Sequence, residues 1–253
     1  MTHRSSHVLS LCMLGLVLIC TPFAQASFED VPSTHANFTA INYLQEHGMV
    51  QGYNDNTFKP NAAINRAEFA KIVINAFLKN DINQMSTCHM QYARTSEACG
   101  LEQNCIAREF TTFAVCMGYK TDNNGQLGTD ALKLKEYDSC FSDIAADAWF
   151  RKFVCLAKVK NIIGGYADGS FKANNNITFV EASKIIVNAM GFKTTADAVW
   201  YRPYVQVLSD SKAIPMSINA LSQTITRGEM AEMIYRLDDK NTGLASKSMD
   251  SLK

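Results

Sequence analysis

Gly52-Tyr53-Asn54-Asp55-Asn56-Thr57-Phe58-Lys59 returns later in the chain as Gly165-Tyr166-Ala167-Asp168-Gly169-Ser170-Phe171-Lys172. The likeness extends in both directions without a gap. Upstream, Phe28 and Asp30 fall on Phe141 and Asp143; downstream, Asn61 falls on Asn174, Ile64 on Ile177, Glu68 on Glu181, Lys71 on Lys184 and Asn75-Ala76 on Asn188-Ala189. A register kept over so long a stretch marks an internal repeat, and a repeat must be recognised before any fold is assigned. A third, weaker copy follows. Thr226-Arg227-Gly228-Glu229-Met230-Ala231 answers Asn65-Arg66-Ala67-Glu68-Phe69-Ala70, and Trp200-Tyr201-Arg202 answers Trp149-Phe150-Arg151. Between those blocks the third copy lacks the Gly-Tyr-x-Asp loop.

Each copy reads as helix, loop, helix. Phe38, Ile41, Tyr43 and Leu44 lie near helical spacing, with Gly48 as a stop. The Gly-, Asn- and Asp-rich loop is turn chemistry, in which Asp55 and Asp168 are expected to cap their own turns. Asn65-x-x-Glu68, Thr178-x-x-Glu181 and Thr226-x-x-Glu229 have the form of capping boxes and predict three helix starts. The stripes that follow (Ala67, Ala70, Ile74 and Phe77 in the first copy) are simplest as core. One hairpin cannot bury such a face alone, so the copies are expected to pack together around their second helices. The fold class expected is all-α.

The boundaries that follow are a signal peptide over 1–26, repeats over 27–78, 140–191 and 192–238 (the last degenerate), a cysteine-rich insertion over 79–139 and a flexible tail over 239–253. Arg4, the apolar run Val8–Ile19 and the small-x-small Ala24-Gln25-Ala26 form the signal, with cleavage expected before Ser27. No later stretch is long and apolar enough to span a bilayer. Past the signal remain Cys88, Cys99, Cys105, Cys116, Cys140 and Cys155; an even number in an exported chain points to disulfides, with the pairing open. Zinc is disfavoured because no close C-x-x-C pair exists and the histidines are scattered. Asp122-Asn123-Asn124-Gly125 lacks the glycine position of a calcium loop and reads as a solvated turn. With a formal net charge of +0 and no run that collects Lys and Arg, electrostatics give no reason to expect a nucleic-acid partner.

Phe28-Glu29-Asp30-Val31-Pro32, Gly52-Tyr53-Asn54-Asp55-Asn56-Thr57-Phe58-Lys59-Pro60 and Ile64-Asn65-Arg66-Ala67-Glu68 resemble the S-layer homology repeat, worded F-x-D-V, G-Y-x-D-G-x-F-x-P and I-T-R-A-E. The resemblance implies a pseudo-threefold bundle of helix-loop-helix repeats with grooves between neighbours. It also implies non-covalent attachment to secondary cell-wall polysaccharide, often through a pyruvylated sugar, with the motif Arg helping to form the grooves. Phe179 replaces that Arg in copy two, so at most two grooves are expected, centred on Arg66 and Arg227.

Arg suits a carboxylate through paired hydrogen bonds, and a helix N-terminus offers free N–H groups to an anion. For Arg66 and Arg227 ligand contact stands beside surface pairing with an acid. Trp149 and Trp200 are candidates for stacking on a sugar, although an aromatic at a helix start is expected to anchor packing. Tyr53 and Tyr166 either pack or line a groove. The expectation is a secreted, cell-surface or wall protein that binds cell-wall polysaccharide without cofactor, metal or catalysis. The alternative is a surface assembly protein whose insertion, in a chain with no recognisable cargo domain after the repeats, binds a protein partner.

Overall fold

The computed structural model describes residues 28–240 and 243–252. The expected signal segment, with Cys12 and Cys20, lies outside the described residues. The fold is helical, with only isolated β-bridges among the described residues. The first hairpin is α1 (Phe38–Glu46) and α2 (Arg66–Phe77). The insertion carries α3 (Lys79–Ala98), α4 (Gln103–Cys116), α5 (Thr129–Leu132) and a 3-10 turn, Lys133–Ser139. The second hairpin is α6 (Arg151–Val159) and α7 (Phe179–Ala189), the third α8 (Arg202–Asp210) and α9 (Arg227–Asp238).

The helix limits follow the sequence register. α1, α6 and α8 each run for 9 residues. Each ends at a left-handed residue, Gly48, Asn161 or Lys212, which turns the chain out of the helix. Of the three capping boxes, the Thr226 box forms fully: Thr226 accepts from Glu229 N while Glu229 accepts from Thr226 N. Glu181 likewise accepts from Thr178 N. The first is half formed, because Asn65 accepts from Glu68 N while the Glu68 carboxylate turns toward Arg227 instead.

The motif residues make one interlocking unit. Phe28 packs on Phe58 with ring centroids 5.3 Å apart, and Phe141 on Phe171 at 5.5 Å. Asp30 accepts from Phe58 N and Lys59 N at 2.8 and 2.7 Å, and Asp143 does the same for Phe171 N and Lys172 N. Gly52 and Gly165 stand at φ +69 and +70, and a Cβ on either would lie 2.8 Å from the carbonyl of Thr57 or Ser170. Only glycine meets both demands.

The hairpins close on one another in a ring. α2 packs against α6, α7 against α8, and α9 against α1. At the centre Ile64 N donates to Ile225 O, Ile225 N to Ile177 O, and Ile177 N to Ile64 O, each at 3.0–3.1 Å. The three isoleucines are wholly buried, so this cycle of backbone bonds sits in an apolar axis. A threefold arrangement of unlike sequences is thereby held by groups every residue possesses.

Disulfides join Cys88 to Cys116, Cys99 to Cys105 and Cys140 to Cys155. The first clasps α3 to α4, the second closes the turn between them, and the third lies within the second hairpin. Asp122 accepts from Asn124 N and Gln126 N, which makes its segment a turn. The tail behaves differently from the polar, frayed end expected. Lys247 N donates to Ile214 O, Arg236 donates to Ala245 O, and Leu252 is buried. Its charge-rich composition concealed that the buried Arg236 guanidinium needs carbonyl acceptors, which the returning chain supplies.

Candidate functional site

Two grooves of matching construction lie between the hairpins. Each takes its floor from one hairpin, an arginine from the hairpin before it in the ring and a tryptophan from the hairpin after it. In the first groove, of about 390 Å³, Tyr53, Glu68 and Lys71 belong to hairpin one, Arg227 to hairpin three and Trp149 to the start of hairpin two. In the second, of about 560 Å³, Tyr166, Glu181 and Lys184 belong to hairpin two, Arg66 to hairpin one and Trp200 to hairpin three. No hairpin could form a groove alone.

The arginines are the most constrained side chains here. Arg66 is 4% and Arg227 5% exposed. Arg66 Nε donates to Phe171 O at 2.9 Å, its Nη1 to Glu181 at 3.0 Å, and its guanidinium lies 4.8 Å from the Tyr166 ring centre. Arg227 Nε donates to Phe58 O at 2.7 Å, pairs with Glu68 at 3.6 Å and lies 4.7 Å from the Tyr53 ring. Each therefore bolts the Gly-Tyr loop of one hairpin to the second helix of another. Of the two expected alternatives, the pairing with an acid is present, but between buried groups and not at the surface.

The helix ends that carry them are also occupied. Arg66 N donates to Asn175 O and Ala67 N to Ala173 O; Arg227 N donates to Ala62 O and Gly228 N to Pro60 O. Neighbouring loops thus take the N–H groups that an anion would have needed.

The tryptophans depart from the expectation that they anchor packing. Trp149 is 55% and Trp200 49% exposed. Packing is done by the residues after them, Phe150 and Tyr201, against which each indole stands edge-on at 5.3 and 5.7 Å. The indoles themselves face the grooves. Over them lie Lys71 Nζ, 5.4 Å from the Trp149 ring, and Lys184 Nζ, 5.5 Å from Trp200. Neither lysine forms an ion pair among the described residues. Sequence reasoning paired Lys71 with Lys184 in the register without nominating them; the usable signal was that a cation recurs in both copies three residues after the capping-box glutamate.

Asp55 and Asp168 bind their own turns, Asp55 accepting from Thr57 N and Asp168 from Ser170 N at 3.1 and 3.0 Å. The Ser170 hydroxyl and N–H lower Asp168 to about 2. Burial pushes Glu181 up, but the bonds from Thr178 N and the Tyr166 hydroxyl, with the Arg66 charge, outweigh it and leave the carboxyl below its ordinary value. Burial and the bond to Glu181 in turn raise the Tyr166 phenol. The structure brings six of the eight nominated residues to the two grooves, Tyr53, Trp149 and Arg227 in one and Arg66, Tyr166 and Trp200 in the other, while Asp55 and Asp168 stay in their own turns outside the linings. No group of three or more metal-ligating side chains occurs among the described residues.

The family model described as the S-layer homology domain matches residues 27–70 and 141–182. The matched stretches take in the first helix and the Gly-Tyr loop of the first and second hairpins and stop just inside α2 and α7, so these two hairpins are similar to S-layer homology repeats. The third hairpin, α8 and α9, lies outside the matched residues while filling the remaining position of the ring. The chain is 25% identical to a "Middle cell wall protein" of Brevibacillus brevis over 87% of its own length and 17% of that protein's. It is 26% identical to a "Surface layer protein" of Brevibacillus choshinensis over 63% of its length and 10% of that protein's. A "Cell surface glycoprotein 1" of Acetivibrio thermocellus is 24% identical over 64% of this chain and 5% of that one. This chain therefore spans less than a fifth of each of these relatives. No described helix is long and apolar enough to cross a membrane.

Proposed function

We propose that the protein is an exported, non-catalytic module that holds an acidic cell-wall polysaccharide in its two inter-hairpin grooves. The observation that carries this reading is the Lys-over-Trp pair, repeated in both grooves from different hairpins. A half-exposed indole offers a flat apolar face for a sugar ring, and an unpaired ammonium beside it suits a carboxylate such as that of a pyruvyl ketal. In this reading the buried arginines do not touch ligand through a fork of their own. They hold Tyr53 and Tyr166 at the groove floor, and the aspartates keep the loops in shape. The names of the relatives place those proteins at the cell wall and surface; by analogy this chain is secreted and resides there.

Co-sedimentation with cell walls tests the proposal. The protein is expected to pellet with polymer-bearing walls and to stay in solution with walls stripped of polymer. Equal pelleting in both, or in neither, removes the reading.

A further inference from the structure

The insertion contains a cavity of about 500 Å³ that the grooves do not use. Its size lies in the range of small-molecule sites, roughly 300–1,000 Å³. The walls are α3, α4, the 125–127 turn and the 3-10 turn, and Cys88–Cys116 fixes the first two against each other.

Its chemistry is specific. Tyr92 and Phe113 stack with ring centroids 5.1 Å apart at 15°, and Phe110 meets both edge-on at 6.2 Å. Leu127, Leu132 and Leu134 complete an apolar lining. Leu132 is 44% exposed, so this surface is open from outside.

Two charged side chains face the cavity, and only one is free. Asp138 is bonded to His89 at 2.9 Å and paired with Arg151 at 3.6 Å, while its carbonyl accepts from Arg151 at 2.7 Å. Its negative charge is spent on tying the wall to α6. Lys135 makes no ion pair among the described residues, and its Nζ stands 5.1 Å from the centre of the Phe110 ring. An aromatic-lined hollow with a single unspent cation at its ring face selects a flat, apolar ligand bearing negative charge.

We infer that the insertion cavity is a second binding site, separate from the grooves, for a small planar aromatic ligand carrying one anionic group. The test uses two fluorescent probes with one ring system: anilinonaphthalene sulfonate and its uncharged relative N-phenyl-1-naphthylamine. Both are titrated into the purified, disulfide-intact protein. One saturable site per chain is expected, with the sulfonate bound more tightly. Ala107→Trp places a large side chain in the cavity from an exposed position on α4 and is expected to weaken both probes at least tenfold. Lys135→Glu, also exposed, is expected to weaken the sulfonate at least fivefold and the neutral probe less than twofold. Far-ultraviolet dichroism and an unchanged urea unfolding midpoint verify that both variants fold. The inference falls if neither probe saturates, if Ala107→Trp binds like the parent, or if Lys135→Glu leaves the sulfonate unchanged or weakens the two probes alike. Because the readout is independent of wall polymer, it stands or falls apart from the groove reading.

Discussion

The two grooves and the third junction of the ring share a scaffold and a glutamate but differ at the arginine, tryptophan and lysine positions. At the third junction α9 packs on α1, and the backbone cycle through Ile64, Ile177 and Ile225 treats all three positions alike. Yet Phe179 stands where Arg66 and Arg227 stand elsewhere, Ala36 where the tryptophans stand, and Glu232 where the lysines stand. Phe179 is wholly buried. The acid that an arginine would have met, Glu229, is served instead by the Ser217 hydroxyl at 2.7 Å and Gln223 at 3.2 Å. Glu232 is bonded by Asn37 and paired with Arg236. A buried ion pair can give way to apolar packing at little cost in stability, so the fold tolerates the loss of the arginine. Nothing in the packing required the loss of an exposed indole and ammonium. The ring is thus kept by its backbone and apolar residues, while the grooves are kept by residues that the ring does not need.

That division is broken most severely through the arginines. Arg66→Ala leaves Glu181 partly buried beside an empty space and frees the second loop, which costs about 3 kcal/mol. A urea unfolding midpoint should fall accordingly. An unchanged midpoint would mean that Arg66 is not the bolt its burial suggests. Binding is expected to suffer in the same variant only as far as the fold does.

The tryptophans reverse this pattern. Trp149→Ala with Trp200→Ala should lower wall binding about tenfold per groove, roughly 1.4 kcal/mol each, with little change in the unfolding midpoint. Loss of stability without loss of binding would return both indoles to a packing role. Lys71→Gln and Lys184→Gln should act in the same direction but more weakly. Each is expected to cost about 1 kcal/mol of binding in dilute salt, with an effect that fades as salt is added. A salt-independent loss would point to displaced packing and not to a missing charge.

The contrast between scaffold and site also explains what was readable in advance. The repeat register carried the helix limits, because caps, stops and apolar spacing are local properties of the chain. The Gly-Tyr loop was legible as a turn for the same reason. The arginine role was not, since Glu181 and Phe171 O belong to a different hairpin from Arg66. Helix-dipole reasoning treated its helix end as open to solvent, whereas Asn175 O and Ala173 O already cover it. Trp149 and Phe150 show the limit of composition: both are large aromatics at one helix start, and only the ring geometry decides which packs and which faces the groove. The replacement of a lysine by Glu232 in the third copy was visible in the sequence, and gains meaning only once the lysines are seen beside the indoles.

The smallest expected effect concerns pH and the same bolt. Glu181 takes part in the junction as a carboxylate, held below its ordinary value of 4.5. A folded carboxyl that resists protonation makes the unfolded chain the better proton binder. As pH falls, the unfolded state gains protons first, and the stability contributed by Glu181 is lost. That contribution is complete above 4.5 and disappears as pH drops through the lower folded value. In Glu181→Gln the single carbonyl oxygen can accept from Thr178 N or from Tyr166, which bond different carboxylate oxygens in the parent, and the charge opposite Arg66 is gone at every pH. Parent and variant should therefore differ in unfolding midpoint at pH 7, and the gap should narrow below pH 4 as the parent carboxyl protonates. A gap that stays constant down to pH 3 would assign the stabilisation to shape and hydrogen bonding. It would then make Arg66 a packing element like Phe179, with its charge incidental to the ring.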